Sequence, residues 1–238
     1  MGMGVINRII PSNLIKNLVA YYRLDGDALD YSGNGYHPDI VQGITYGNGV
    51  VGQSAEFIGN NNRKIEIPNN TAFSFTDGNN DEPFSTSMWL YNRYKYAFFL
   101  QKRDGNVVNV EWQVIIYNNI LGFYLLGQNS VSNHINAKTD YSSYNNQWTH
   151  ITTTYDGSGS ENGINIYING ILIATTKDSS GNYVAMVPTQ SKVTIGNPRW
   201  TPLLNLDGYI QMVAIFDKEL SATEVMSLYE KQQNNFLK

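Results

Sequence analysis

The densest run of side chains able to do chemistry is Asp25-Gly-Asp27-Ala-Leu-Asp30-Tyr-Ser32-Gly-Asn34-Gly. Closely spaced carboxylates in a glycine-containing loop, with carbonyls nearby, supply the oxygen ligands that calcium takes. The same residues have a local use. Asp, Asn and Ser side chains accept hydrogen bonds from backbone N–H groups two residues on and close Asx-turns. Either way Asp25, Asp27 and Asp30 serve structure rather than reaction.

Sugar recognition needs different groups: an exposed aromatic face for C–H stacking, beside amides and charges that meet hydroxyls. Gly196-Asn197-Pro198-Arg199-Trp200-Thr-Pro202 offers that mixture, with Asn197, Arg199 and Trp200 as contacts. Tyr91-Asn92-Arg93-Tyr94-Lys95-Tyr96 offers it again, with Tyr94 and Tyr96 as contacts. Each also has a plain structural alternative: Trp200 as a loop anchor, and the tyrosines as cross-strand aromatic pairs.

Catalysis has little to work with. Glycoside hydrolysis needs two carboxyls flanking the scissile bond, yet Glu111 stands alone in VEWQVIIY and Glu66 alone in KIEIP, and Asp81-Glu82 adjoins Pro83. His37, His134 and His150 lie far apart and share no metal-ligand spacing. His150 alternates with Trp148 and Thr152 and reads as structural. No phosphate loop, dinucleotide loop or nucleophile elbow occurs.

The elements that position these groups are short β runs separated by Gly, Asn and Asp turns. They comprise residues 18–24, 64–68, 84–91, 96–102, 110–117, 121–127, 148–156, 163–168, 171–177, 192–196 and 206–217. Asn118-Asn119 and Asn169-Gly170 each sit between apolar runs and predict two-residue hairpins. A single helix is predicted over 221–231, opened by the capping box Ser221-Ala-Thr-Glu224. Residues 1–17 read as an arm whose Ile9, Ile10, Leu14 and Ile15 could dock on this domain or on a neighbour; 18–231 form one domain and 232–238 a tail. The chain has 238 residues, 42% of them hydrophobic, and no cysteine, so it must fold on packing alone. A net charge of −4 argues against a nucleic-acid binder. No secretory signal is evident at the start, and no apolar run approaches the length that spans a bilayer.

Four segments in order resemble the laminin-G-like, concanavalin A-like jelly-roll family. These are Leu18 to His37 with its Asp/Gly loop, Gly49 to Phe57, Gln147 to Asp156 with the Ile166–Ala174 hairpin, and Ile195-Gly196 followed by Leu206 to Ser221 and the helix. The resemblance covers about residues 18–231. It implies an all-β fold of two packed antiparallel sheets, with Trp89 and Trp148 in the core. It also implies one structural calcium between the opening loop and the last long strand, where Gln211 stands in place of the family's usual acidic residue; Asp25, Asp27, Asp30 and Gln211 would be its ligands.

Two functions follow as expectations. The favoured one is a non-catalytic component of an assembly such as a bacteriophage virion, decorating a capsid or appendage at the virion surface. Its partners would be other virion proteins, held through the arm 1–17. The alternative is a carbohydrate- or receptor-binding module at an extracellular or cell surface, with a glycan ligand. A glycan-active enzyme is a distant third.

Overall fold

The computed structural model describes residues 9–57, 63–103, 109–128, 132–196 and 206–234. Two eight-stranded antiparallel sheets face each other. The first holds β1 (Leu18–Tyr22), β3 (Thr45–Asn48), β4 (Gln53–Phe57), β6 (Phe84–Asn92), β11 (Trp148–Tyr155), β12 (Ile164–Ile168), β13 (Ile171–Leu172) and β16 (Gly208–Phe216). Its order is β13-β12-β11-β6-β16-β4-β3, with β1 also paired to β16. The second holds β2 (Ile40–Gln42), β5 (Lys64–Ile67), β7 (Tyr96–Arg103), β8 (Val110–Tyr117), β9 (Ile120–Leu126), β10 (His134–Asp140), β14 (Thr176–Ser180) and β15 (Val193–Gly196), in the order β14-β10-β9-β8-β7-β15-β5-β2. This is the jelly-roll sandwich expected from the resemblance.

Local turn chemistry sets the hairpins. Asn118 and Asn119 adopt φ of 53° and 62°, and Asn169 and Gly170 adopt 51° and 80°. Positive φ at both central positions gives a turn whose twist matches the flanking strands. Between the sheets, Phe84 stacks on Phe75 at 4.2 Å and meets Phe123 edge-on at 5.5 Å, and Trp112 Nε1 donates to Phe73 O at 3.0 Å. The inter-sheet tryptophan is therefore Trp112. Trp89 and Trp148 lie instead on the outer face of the first sheet.

That outer face carries a second core. Ile9, Ile10, Leu14, Leu18, Tyr21, Trp89, Met212 and Phe216 pack there with Leu220, Val225 and Leu228 of, or just before, the helix α1 (Ala222–Asn234). Ser221 caps α1: its Oγ accepts from Glu224 N at 3.3 Å, and Glu224 Oε2 accepts from Ser221 N at 2.9 Å. The helix runs past 231. Gln232 Oε1 accepts from Trp89 Nε1 at 2.8 Å, which makes residues 232–234 part of the fold rather than of a tail.

The run predicted over 171–177 is split, with Ile171–Leu172 on one sheet and Thr176–Ser180 on the other. Four strands, β2, β3, β4 and β10, had no counterpart among the predicted runs, because they are short or polar and carry few core residues.

Candidate functional site

The site grows out of the register of the first sheet. Trp148 of β11 pairs with Tyr91 of β6, Tyr91 with Tyr209 of β16, Tyr209 with Glu56 of β4, and Glu56 with Thr45 of β3. Residues directly opposite in an antiparallel pair point to the same face. Five strands thus lay one continuous row across the outer face, aromatic at one end and polar at the other. All three rings are half-buried.

Their geometry is that of a closed cluster. Tyr91 meets Trp148 at 5.9 Å and Tyr209 at 5.8 Å, both edge-on, and Trp148 lies 6.2 Å from Tyr209. Arg93, two residues beyond Tyr91, places its guanidinium 4.8 Å from the Tyr209 ring centroid. Arg93 Nη2 donates to Tyr209 Oη at 2.7 Å and Nη1 to Asp207 Oδ1 at 3.2 Å. Tyr209 Oη in turn donates to Glu56 Oε1 at 3.0 Å, and Thr45 Oγ1 donates to Glu56 Oε2 at 2.9 Å. Arg63 Nη1 donates to Thr45 Oγ1 at 2.8 Å. Desolvation and the bond to Glu56 raise the Tyr209 pKa, so the phenol stays protonated. Partial burial works against the Arg93 charge, but Tyr209 and Asp207 outweigh it and raise its pKa. Gly47 gives Tyr209 its room, since a Cβ there would stand 3.1 Å from Tyr209 Cε1.

One rung along the same face is the covered counterpart. His150 pairs with Trp89 and Trp89 with Gln211; His150 and Trp89 lie beneath α1, against Tyr229, while Gln211 bonds to the backbone of Val50 and Gln53. His150 is fully buried between Trp89 and Tyr229, with Ser87 Oγ 2.9 Å from its Nε2. Burial lowers its pKa to about 3, against a smaller upward contribution from Gln232. The expectation that His150 is structural agrees with this setting.

Of the sugar-contact residues expected from the sequence, Asn197, Arg199 and Trp200 lie outside the described residues. Tyr94 and Tyr96 form a separate aromatic set with Tyr117: Tyr94 to Tyr96 at 5.6 Å, and Tyr96 to Tyr117 at 5.1 Å, both edge-on. Tyr96 and Tyr117 are opposite in register, so this set does contain the cross-strand pair foreseen as the alternative. Tyr94 and Tyr117 are exposed.

The calcium expectation meets a different geometry. Asp25 accepts from Gln53 N at 2.8 Å and from Arg23 Nη2 at 2.6 Å. Asp27 accepts from Leu29 N and Tyr31 Oη, and Asp30 from Tyr21 N, Ser32 N, Ser32 Oγ and Tyr36 N. Gln211 Oε1 accepts from Val50 N at 2.8 Å, while its Nε2 donates to Gln53 O at 2.6 Å. Each carboxylate oxygen is turned to an N–H or O–H donor, and these oxygens do not converge. Among the described residues no group of three or more His, Asp or Glu is placed to hold a metal. These residues do not fit a calcium ion as arranged; they are the Asx-turns and backbone caps of the alternative reading.

The arm is likewise used internally. Ile9, Ile10 and Leu14 are buried in the second core, Ile15 packs on it, and Lys231 Nζ donates to Ile10 O at 3.2 Å. Of the two docking modes left open by the sequence, the described part of the arm takes the first: from Ile9 on, its apolar side chains share one core with Trp89, Phe216 and α1 of their own domain. Glu111 cannot serve a surface reaction. It is buried against Lys102 Nζ at 2.8 Å, and burial raises its pKa although Lys102 opposes this.

A two-sheet jelly roll with aromatic and charged side chains along an open sheet face defines a lectin-like class of domain. The profile of the concanavalin A-like lectin/glucanases superfamily matches residues 58–226, and the chain belongs to that family. Botulinum neurotoxin type G of Clostridium botulinum is 28% identical over 237 residues, covering 92% of this chain and 17% of the toxin. Among solved structures, the binding domain of Paraclostridial Mosquitocidal Protein 1 aligns with a TM-score of 0.71 at 18% identity, over 91% of this chain and 52% of that one. The ligand binding domain of botulinum neurotoxin serotype D, in complex with N-acetylneuraminic acid, aligns with a TM-score of 0.69 at 19% identity, over 93% of this chain and 52% of that one. The chain thus spans about half of each solved domain and a small part of the toxin. At these identities the structural likeness establishes the fold.

Proposed function

We propose that this chain is a non-catalytic glycan- or receptor-binding module acting at an extracellular or cell surface, with the Trp148–Tyr91–Tyr209 row as its contact face. The observation that carries the reading is the row itself. Three half-buried rings and Arg93, Glu56 and Asp207 stand together on one sheet face, the combination by which protein surfaces stack on sugar C–H faces and bond sugar hydroxyls. The structural neighbours, which are binding domains, support the same class of function. The sugar in the serotype D complex belongs to a domain about twice this length and identifies no ligand for this chain. The virion reading drew on the arm among other features, and the described part of the arm, from Ile9 on, is packed in cis.

The test is a glycan array probed with the wild-type chain, Trp148→Ala, Tyr91→Ala and Tyr94→Ala, each first shown to be folded by its denaturation midpoint. Binding that is lost in Trp148→Ala and Tyr91→Ala but kept in Tyr94→Ala supports the row. Binding lost only in Tyr94→Ala moves the site to the Tyr94–Tyr96–Tyr117 set, and binding unaffected by all three rejects both aromatic sites.

A further inference from the structure

We infer that the ligand of this face is an uncharged, extended oligosaccharide that lies across the strands, its apolar faces toward Trp148 and its hydroxyls toward Glu56 and Thr45. The inference rests on the binding-module reading above and specifies what that module takes.

Length is the first argument. The row from Trp148 to Thr45 crosses four strand gaps, and at ~4.8 Å per gap it extends ~19 Å. That span suits several consecutive sugar rings; a single ring would touch only the aromatic end or only the polar end. Direction is the second. The aromatic groups come from β11, β6 and β16, and the polar ones from β16, β4 and β3, so the change of chemistry runs perpendicular to the strands. A ligand aligned along one strand would leave the row after one contact.

Charge is the third. The polar end holds two cations, Arg93 and Arg63, and two anions, Glu56 and Asp207. They are already engaged with one another or with neighbouring hydroxyls: Arg93 with Asp207 and Tyr209, Tyr209 with Glu56, and Arg63 with Thr45. An acidic sugar would have to break the Arg93–Asp207 pair and approach Glu56 as a like charge. Hydroxyls can join the network at the remaining lone pairs and N–H groups without breaking it. Glu56 is the residue that sets specificity here. It holds the Tyr209 hydroxyl with one oxygen and the Thr45 hydroxyl with the other.

The experiment is calorimetric titration of the full chain with linear neutral gluco- and galacto-oligosaccharides of one to five rings, and with sialylated and sulfated counterparts of the same lengths. The expected result is affinity that rises about tenfold or more between the single ring and the four-ring ligand, a gain of about 1.4 kcal/mol. It should change little between low salt and about 0.5 M, as a contact without net charge requires. Glu56→Gln should relax the preference for neutral over acidic ligands, and Trp148→Phe should keep part of the affinity that Trp148→Ala loses. A single ring binding as well as the longer ligands, with loss in Trp148→Ala, overturns the extended ligand while leaving the contact face standing. Tighter binding of the acidic counterparts overturns the neutral one. No binding to any glycan by the folded wild-type chain overturns both this inference and the binding-module reading for sugars.

Discussion

Acidification should destabilise this domain through one side chain, His150. The imidazole is fully buried under α1, beside Trp89 and Tyr229, and burial brings its pKa down to about 3. In the unfolded chain an ordinary histidine titrates near 6.5. Between these values the unfolded state binds a proton that the folded state refuses. The stability tied to neutral His150 is therefore complete above about pH 6.5 and drains away as pH falls toward about 3. At about 1.4 kcal/mol per pH unit, moving from neutral pH to pH ~5 removes about 2 kcal/mol. The depressed carboxylates Asp77, Asp140 and Glu224 also weaken the fold in acid, near and below the usual carboxylate range, while Glu111 and Glu219, whose pKa burial raises, act in the opposite direction; the His150 share is therefore the difference between wild type and a variant without it. His134, whose pKa burial also lowers, adds in the same direction from a partly exposed site. The assay is urea denaturation of the wild-type chain and of His150→Gln at several values between neutral pH and pH ~5. Gln fills similar space, can face Ser87 and does not titrate. The variant starts less stable, so the quantity compared is the slope with pH. Equal slopes in the two proteins would refute the assignment to His150.

Three further outcomes follow from packing. Lys102→Met leaves Glu111 buried without its cation and should cost about 3–5 kcal/mol, while Lys102→Met with Glu111→Leu should recover much of that in the same urea titration. Leu14→Ala removes a fully buried side chain of the second core and should cost about 2–5 kcal/mol; a loss below about 0.5 kcal/mol, the size of an ordinary surface change, would show that the arm is not packed in cis. Ser221→Ala breaks the reciprocal cap of α1 and should lower stability by about 1 kcal/mol, read as an earlier loss of helical circular dichroism on heating.

What could be read from the sequence was local. Asn169-Gly170 announces its turn because two neighbouring residues carry the whole positive-φ requirement, and Ser221 with Glu224 announces the helix start because the cap closes within one turn. The outer aromatic row was not legible in this way. Tyr91 and Arg93 stood in a segment marked for sugar contact, but Tyr94 and Tyr96 were singled out, because nothing in the segment says which residues share a face with Trp148 and Tyr209. That depends on pairings between β6, β11 and β16, which are distant in the chain. The second core was invisible for the same reason. Trp89 and Trp148 look like sandwich-core residues until the sheet is assembled and their side chains prove to point outward.

The pairing that builds the face depends on an irregularity no periodicity count would reveal. In the first half of β16, Ile210 points inward to the core while Tyr209 and Gln211 point outward. In the second half Val213 and Ile215 point inward while Met212, Ala214 and Phe216 face the second core. The inward positions change from even to odd, which a regular strand with period two cannot do. The change is made by a bulge between Gln211 and Ala214, where Met212 takes a positive φ of 55° and its N–H donates to Arg23 O at 3.1 Å. A left-handed conformation is unfavourable for a residue with a side chain, and here burial of Met212 in the second core offsets it. The bulge lets one strand serve both layers: it keeps Val213 and Ile215 in the sandwich while presenting Tyr209 opposite Tyr91 and Glu56. Met212 shares the second core with Ile10, Leu14, Val225 and Leu228, so burial in the covered half of the outer face favours the bulge that sets the register of the open half.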